Sequence, residues 1–292
     1  MKTPGLLGLR EIPAEALVNM FEAQTTELFN DAGRLKMPDV VVIPACNEEQ
    51  DIPATLLSLS RATRPVVPIV VENGSDTGDR TFEYANRMGA IVLQCAPAKM
   101  RATQVGLNAS RERFPLQRIV HFGDADNLYP CTTVLAISNA ARRTNAANRG
   151  DGALQFGLGI YDHGDSPVVD AMRSGRLIRK AVERKVKGQT PMPYGFNYAV
   201  HIGKDGTLVD ALNNIDPLLF VREESEICRA AIASGLAIDQ LVSRHSFVFT
   251  RSDLIKSRAE WRDFKGASMD AKTRYYKRNY PDVDFKQNAQ GR

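Results

Sequence analysis

The chain has 292 residues, 43% of them hydrophobic and 25% charged, with a formal net charge of +4. That composition excludes a disordered or fibrous protein and leaves room for one large α/β domain or two small ones. No run of about 18 apolar residues occurs, and the apolar stretch near Met1 is too short for a secretory signal, so a cytoplasmic protein without a membrane-spanning helix is expected.

Residues 1–37 precede the first strand signal. Ala14 to Asn30 carries Leu17, Met20, Phe21 and Leu28 at helical spacing and predicts an amphipathic helix that ends at Asp31-Ala-Gly33. Asp39 to Ile43 is a continuous apolar run, as a parallel strand covered on both faces requires. Pro44-Ala-Cys-Asn-Glu-Glu49 breaks it, and a helix with Asp51 or Thr55 at its start carries Ile52, Leu56, Leu57 and Leu59. Val66 to Val71 is a second strand, followed by the polar turn Glu72-Asn-Gly-Ser-Asp-Thr-Gly78. A helix from Arg80 to Met88 stops at Gly89, a favoured residue just past a helix end. Ala90 to Gln94 is a third strand, Ala102 to Arg111 a third helix of the repeating unit, and Arg118 to Phe122 a fourth strand. Short β-α-β crossovers of this kind predict a parallel sheet with right-handed connections.

The fourth strand runs into Gly123-Asp-Ala-Asp126. Two carboxylates one residue apart, at the carboxyl end of a strand, suit a hard divalent cation that also holds a substrate phosphate. No G-x-G-x-x-G follows the first strand and no G-x-x-x-x-G-K precedes a Ser or Thr, which argues against a dinucleotide-binding domain and a P-loop enzyme.

Further along, the sequence predicts a helix over Thr132 to Ala147, one strand over Ala153 to Ile160, a helix over Val168 to Lys187 and a rigid turn at Pro191 to Gly195, followed by Phe196 to His201. A helix over Glu223 to Ala233, short strands over 236–242 and 246–250, and a basic helix over Ser252 to Tyr276 complete it. The basic charge is concentrated. Residues 251–292 hold eleven Lys/Arg against six Asp/Glu, and residues 168–187 hold seven against two. Such stretches are either solvated helix faces or contacts for something anionic, a substrate phosphate or lipid headgroups. They lack the interleaved aromatics expected of a nucleic-acid groove. Cys46, Cys95, Cys131 and Cys228 form no C-x-x-C pair, so reduced thiols rather than a zinc site are expected.

Several of these pieces coincide with one family. Val40-Val-Val-Ile-Pro-Ala-Cys-Asn-Glu-Glu49 resembles the opening strand and loop of family 2 glycosyltransferases. Val70-Val-Glu-Asn-Gly-Ser75 resembles their second strand, Lys99-Met-Arg-Ala-Thr-Gln-Val-Gly-Leu-Asn-Ala109 the helix start that follows, and Gly123-Asp-Ala-Asp126 their D-x-D signature. The matches fall in the right order over residues 39–127. Arg222-Glu-Glu-Ser-Glu-Ile-Cys-Arg229 with Gly235 is similar to a later helix of the family. Glu224 stands there where Asp is usual, Gln104 stands where Asn is commoner, and the Q-x-x-R-W motif of processive membrane synthases is absent.

The resemblance implies a GT-A fold, a Rossmann-like, mostly parallel sheet sandwiched by helices. It carries an N-terminal helical extension (1–37), a transferase domain (38–250, with a nucleotide-binding half at 38–127 and an acceptor half at 128–250) and a basic C-terminal helix and tail (251–292). It implies transfer of a hexosyl group from a UDP- or GDP-sugar to an acceptor hydroxyl with Mg²⁺ or Mn²⁺. Pro44, Ala45, Asn47 and Glu48 would shape the nucleotide pocket, and Glu72 would accept a hydrogen bond from an N–H of the base with Asn73 and Ser75 in support, the alternative being a capped, hydrogen-bonded loop. Lys99 and Arg101 would hold phosphate. Asp124 would serve the ribose or a metal-bound water, and Asp126 would bind the metal.

His245 follows a strand at a spacing where some members of the fold that act on small acceptors place a metal-binding His. A structural role is the plainer alternative. His121, inside the fourth strand, is expected to be a satisfied core residue. Glu224, with Glu223 second, is the candidate base, the alternative being an anionic pair stabilised at a helix start. Tyr194, Gly195 and Asn197 are placed near the acceptor. Two other functions stay open: a non-catalytic GT-A module that binds nucleotide sugar or an anionic membrane, and a sugar-phosphate nucleotidyltransferase. Peripheral attachment through the basic helices and a homodimer are both compatible with the sequence.

Overall fold

The computed structural model describes residues 5–75, 78–162, 167–191, 197–218 and 223–251. A 3₁₀ helix (Leu7–Glu11) leads into α1 (Ala14–Gly33). The repeating unit follows as β1 (Asp39–Ala45), α2 (Ile52–Ser60), β2 (Val66–Glu72), α3 (Thr81–Arg87), β3 (Ile91–Gln94), α4 (Lys99–Arg113) and β4 (Ile119–Gly123). Then come β5 (Asn127–Leu128), α5 (Thr133–Ala147), β6 (Ala153–Phe156), β7 (Leu158–Asp162), α6 (Pro167–Val186) and β8 (Asn197–His201). The rest is α7 (Thr207–Asn213), α8 (Glu223–Ala233), β9 (Ala237–Gln240) and β10 (Phe247–Arg251). The predicted basic helix over 252–276 lies outside the described residues.

The main sheet has the order β3-β2-β1-β4-β8-β6-β9. Only β8 runs against its neighbours, β4 and β6. Alternating side chains of β1 and β2 feed two cores. Val41, Ile43, Val66 and Val70 meet α1 and α2 on one face, and Val40, Val42, Val67, Ile69 and Val71 meet α4, α7 and α8 on the other. The continuous apolar runs in the sequence have this cause. The layered α/β architecture implied by the resemblance is the observed one.

Four local readings change. Pro44 does not end β1 but pairs with Val71 inside it. The ladder to β4 stops at Val42, so the missing N–H of Pro44 removes no bond on that side. Helix α4 starts at Lys99, three residues before the predicted start, which places Lys99 and Arg101 on its first turn. Phe196 to His201, given no element from sequence, contains the antiparallel β8.

Finally, the strand predicted over 153–160 breaks at Gly157. Its first part stays in the main sheet, and its second joins a three-stranded sheet of order β5-β10-β7. A Cβ at Gly157 would run into the Asn197 amide, Ile137 and the Ser246 carbonyl. The chain passes there only because the residue has no side chain.

Candidate active site

The carboxyl ends of β1, β2, β3 and β4 share one edge of the main sheet. Ala45 stands opposite Glu72, Glu72 opposite Gln94, and Gly123 ends the strand on the other side of β1. This is where an open α/β sheet binds ligands.

The loops after β1 and β2 are laced together. Asn73 N–H donates to Ala45 O at 2.9 Å, Asn47 N–H to Ser75 Oγ at 3.0 Å and Glu48 N–H to Thr81 Oγ1 at 2.8 Å. Asn47 takes the left-handed conformation (φ 57°), which Asn tolerates better than most residues. Glu72 shapes this turn. Its Oε1 accepts from the Gly74 N–H at 2.9 Å and from the Ser75 N–H, and its Oε2 accepts from Gln94 Nε2 at 3.3 Å. Asn73, next along, is only 8% exposed, and its buried Oδ1 has no hydrogen-bond partner among the described residues. A buried, unused acceptor is costly unless something supplies a donor.

The turn after β3 closes a third side. Burial pushes the Cys95 thiol up to about 11; the Arg101 charge opposes this and the Glu72 charge adds to it. The thiol is therefore neutral at physiological pH and no nucleophile. The same interactions place Arg101 and Glu72 within electrostatic reach of one residue. Lys99 Nζ lies 2.8 Å from Asp124 Oδ1, with about a third of each side chain exposed.

The acidic turn itself is held from four directions. Thr55 Oγ1 on α2 donates to Ala125 O at 2.6 Å, and the Tyr129 N–H donates to Ser58 Oγ at 2.9 Å. Arg10 Nη2, from the N-terminal 3₁₀ helix, donates to Asp126 O and also to Phe249 O at 2.9 Å. Thr250 Oγ1 donates to Asp126 Oδ1 at 3.1 Å. Asp126 is 7% exposed. The two aspartates thus sit in different settings, Asp124 against an ammonium at the rim and Asp126 against a hydroxyl inside.

Two carboxylates suit Mg²⁺ or Mn²⁺ in their donor chemistry. Among the described residues no three His, Cys, Asp or Glu side chains are gathered that could hold a metal ion. The described residues would contribute one or two carboxylates, with other positions open to phosphate oxygens and water, an arrangement common for Mg²⁺.

His245 does not join the pair. Thr250, which touches Asp126, lies five residues along from it through β10, a distance on the order of 10–15 Å. The His245 ring is exposed, its Nδ1 3.2 Å from Thr132 Oγ1 and its Nε2 accepting from Arg244 Nε at 3.1 Å.

Asn197 is 2% exposed, and its Nδ2 donates to Leu158 O at 2.7 Å and Ser246 O at 2.9 Å. It pins the two sheets together at the Gly157 break, where an acceptor could not reach it. Gln104 is likewise structural, its Nε2 donating to Leu212 O and Ile215 O at the end of α7. His121 is buried in the core, as expected from sequence. Tyr194 and Gly195 lie outside the described residues. Glu223 and Glu224 open α8, and their side chains lie outside the described ones.

Sequence reasoning missed Arg10, Ser58 and Thr250, and read Thr55 only as a helix cap. None carries a local signal, because each acts through a partner far away in the chain.

No protein-family model matches the sequence, and no curated protein is similar to it. Among solved structures the chain is similar to S. aureus TarS, with a TM-score of 0.47 and 18% identity over 74% of this chain and 37% of that one. It is similar to S. aureus TarS 1-349 in complex with UDP, with a TM-score of 0.46 and 18% identity over 74% and 61% of the two chains. It is also similar to glucosyl-3-phosphoglycerate synthase from Mycobacterium tuberculosis in complex with Mn²⁺ and UDP-glucose, with a TM-score of 0.44 and 21% identity over 78% and 74%. The chain spans less than two thirds of either TarS chain.

Proposed function

We propose that the protein is a GT-A-type glycosyltransferase that moves a hexosyl group from a UDP- or GDP-sugar to an acceptor hydroxyl. One observation carries this reading. The segments that resemble family 2 glycosyltransferases, far apart in the chain, end on one sheet edge around Asn73 Oδ1, a buried acceptor with no hydrogen-bond partner among the described residues.

In this reading Asn73 Oδ1 accepts an N–H of the nucleobase, while Glu72, by holding the Gly74 and Ser75 amides, keeps the loop open for it. Asn47 and Glu48 form the facing wall. Arg101 and Lys99 hold phosphate oxygens; an ammonium has three donors, so Lys99 can keep Asp124 and still reach a phosphate. Asp124 and Asp126 are the pair that would hold Mg²⁺ or Mn²⁺, which when bound supplies charge neutralisation for the departing diphosphate. Glu224, assigned on the resemblance alone, takes the proton of the acceptor hydroxyl. The exposed cations of α6, Arg179 among them, would draw an anionic acceptor or lipid headgroups toward the protein.

The test is incubation with UDP- and GDP-sugars plus Mn²⁺, reading nucleoside-diphosphate release. Asp126→Ala should abolish metal-dependent nucleotide binding, and Asn73→Ala should weaken nucleotide affinity about tenfold, the loss of one buried hydrogen bond. Glu224→Gln should bind donor normally and slow transfer roughly 10²-fold or more. Binding without release in the wild type would mark a non-catalytic module, and pyrophosphate release a nucleotidyltransferase. Unchanged nucleotide affinity in both the Asn73 and Asp126 variants would reject the site.

A further inference from the structure

We infer that Arg10, in the 3₁₀ helix ahead of the sheet, is a positioning residue that sets the direction of the Asp126 carboxylate. The inference rests on the glycosyltransferase reading, in which Asp126 faces a cation. One guanidinium nitrogen bonds the carbonyl of Asp126, 116 residues away, and the carbonyl of Phe249, 239 residues away. The next residue, Thr250, closes the loop by donating to the Asp126 carboxylate. Strands β10 and β5 pair at that point, Thr250 against Asn127 and Phe249 against Leu128. Asp126 is thus referenced to β10 twice, through its peptide carbonyl by way of Arg10 and through its carboxylate by way of Thr250.

The 3₁₀ helix can hold this position because Leu9, beside Arg10, is fully buried in the core, with Leu6 and Ile12 packed against the same cluster. A charged donor at a carbonyl makes a stronger bond than a neutral one. Fixing the peptide plane and one carboxylate oxygen leaves Asp126 little rotational freedom, which is what a ligand that must meet a cation in one direction requires. Losing such an outer partner usually costs roughly ten- to a hundredfold in metal affinity.

The experiment titrates UDP and GDP onto the full chain with and without Mn²⁺, for the wild type, Arg10→Met and Arg10→Lys, by calorimetry, with thermal melts to establish folding. The wild type should bind nucleotide more tightly with Mn²⁺. Arg10→Met should lose about tenfold or more of that gain while its metal-free affinity stays within about twofold, and Arg10→Lys should recover part of it. A folded Arg10→Met protein that keeps the whole Mn²⁺ gain overturns the inference and leaves the glycosyltransferase reading intact. A wild type with no Mn²⁺ gain overturns the metal reading first and the inference with it. Should Arg10→Met fail to fold, Arg10→Gln, a shorter neutral donor at the same position, carries the test. Loss of the Mn²⁺ gain with metal-free affinity unchanged supports the inference, and an unchanged gain overturns it.

Discussion

Strand β4, which delivers the acidic turn, is anchored by His121, and acidification should loosen that anchor. His121 is buried, its Nε2 2.7 Å from Ser138 Oγ, and the Ser138 hydroxyl donates in turn to Asp39 Oδ1 at 3.0 Å. With that hydroxyl proton committed to Asp39, the neutral ring carries its own proton on Nε2 and donates it. Burial holds the ring's pKa down to about 4 from an ordinary 6.5; the Asp39 charge opposes the shift and the Arg142 charge adds to it.

The unfolded chain therefore binds a proton that the folded chain refuses. The stability from keeping His121 neutral is complete above pH 6.5 and is lost as pH falls toward about 4. Linkage gives a loss of about 2 kcal/mol between pH 7.5 and 5, approaching about 3 kcal/mol below pH 4. Urea unfolding of the wild type and of His121→Gln at several pH values in that range reads this directly. The variant, neutral throughout, starts less stable, but its decline should be about 2 kcal/mol shallower between pH 7.5 and 5. His201, also lowered by burial and by Arg142 and Arg118, is present in both proteins and cancels. Equal declines would refute the reasoning.

Gly123→Ala would drive a Cβ into the Tyr129 hydroxyl, which is buried and accepts from Asn127 Nδ2 at 3.3 Å, so the ring cannot swing away. It should cost about 1–3 kcal/mol of stability in a thermal or denaturant melt and weaken nucleotide binding as the acidic turn shifts; wild-type values in both would show the contact to be soft. Gln104→Ala removes the amide that holds the end of α7 and should cost about 1–3 kcal/mol while leaving nucleotide affinity unchanged, measured by unfolding and by titration side by side. A drop in affinity without a drop in stability would return Gln104 to the binding site.

What the sequence made legible follows from what is local. Residues 39–45 and 66–72 read as strands because both of their faces are covered, and the acidic turn read as a site because it follows such a strand. The readings that failed depend on distant partners. Nothing near Gly157 announces that Asn197, 40 residues on, fills the space a side chain would need. Asn197 was placed near an acceptor by its position in the chain, but its amide is consumed at that break. His245 had the right spacing from Asp126, yet spacing along the chain does not say which end of β10 meets the acidic turn. The β10–β5 register does, and it brings Thr250 there instead. Asn73 was legible as part of a polar turn, whereas the absence of a partner for its Oδ1 among the described residues is a property of the packed loop.

The same distinction bears on where the domain begins. A boundary near residue 37 suits the sequence, because the first strand signal starts at Asp39. The packing does not respect it. Leu9, Leu17, Val18 and Phe29 are buried in one cluster with Val41, Ile43, Leu56 and Val70. Burying each such side chain contributes roughly 1.5–3 kcal/mol. The segment before β1 is therefore packed into the same hydrophobic cluster as the sheet. Through Arg10 it also reaches the Asp126 carbonyl, so the packing that joins the segment to the core also holds Arg10 beside the acidic turn.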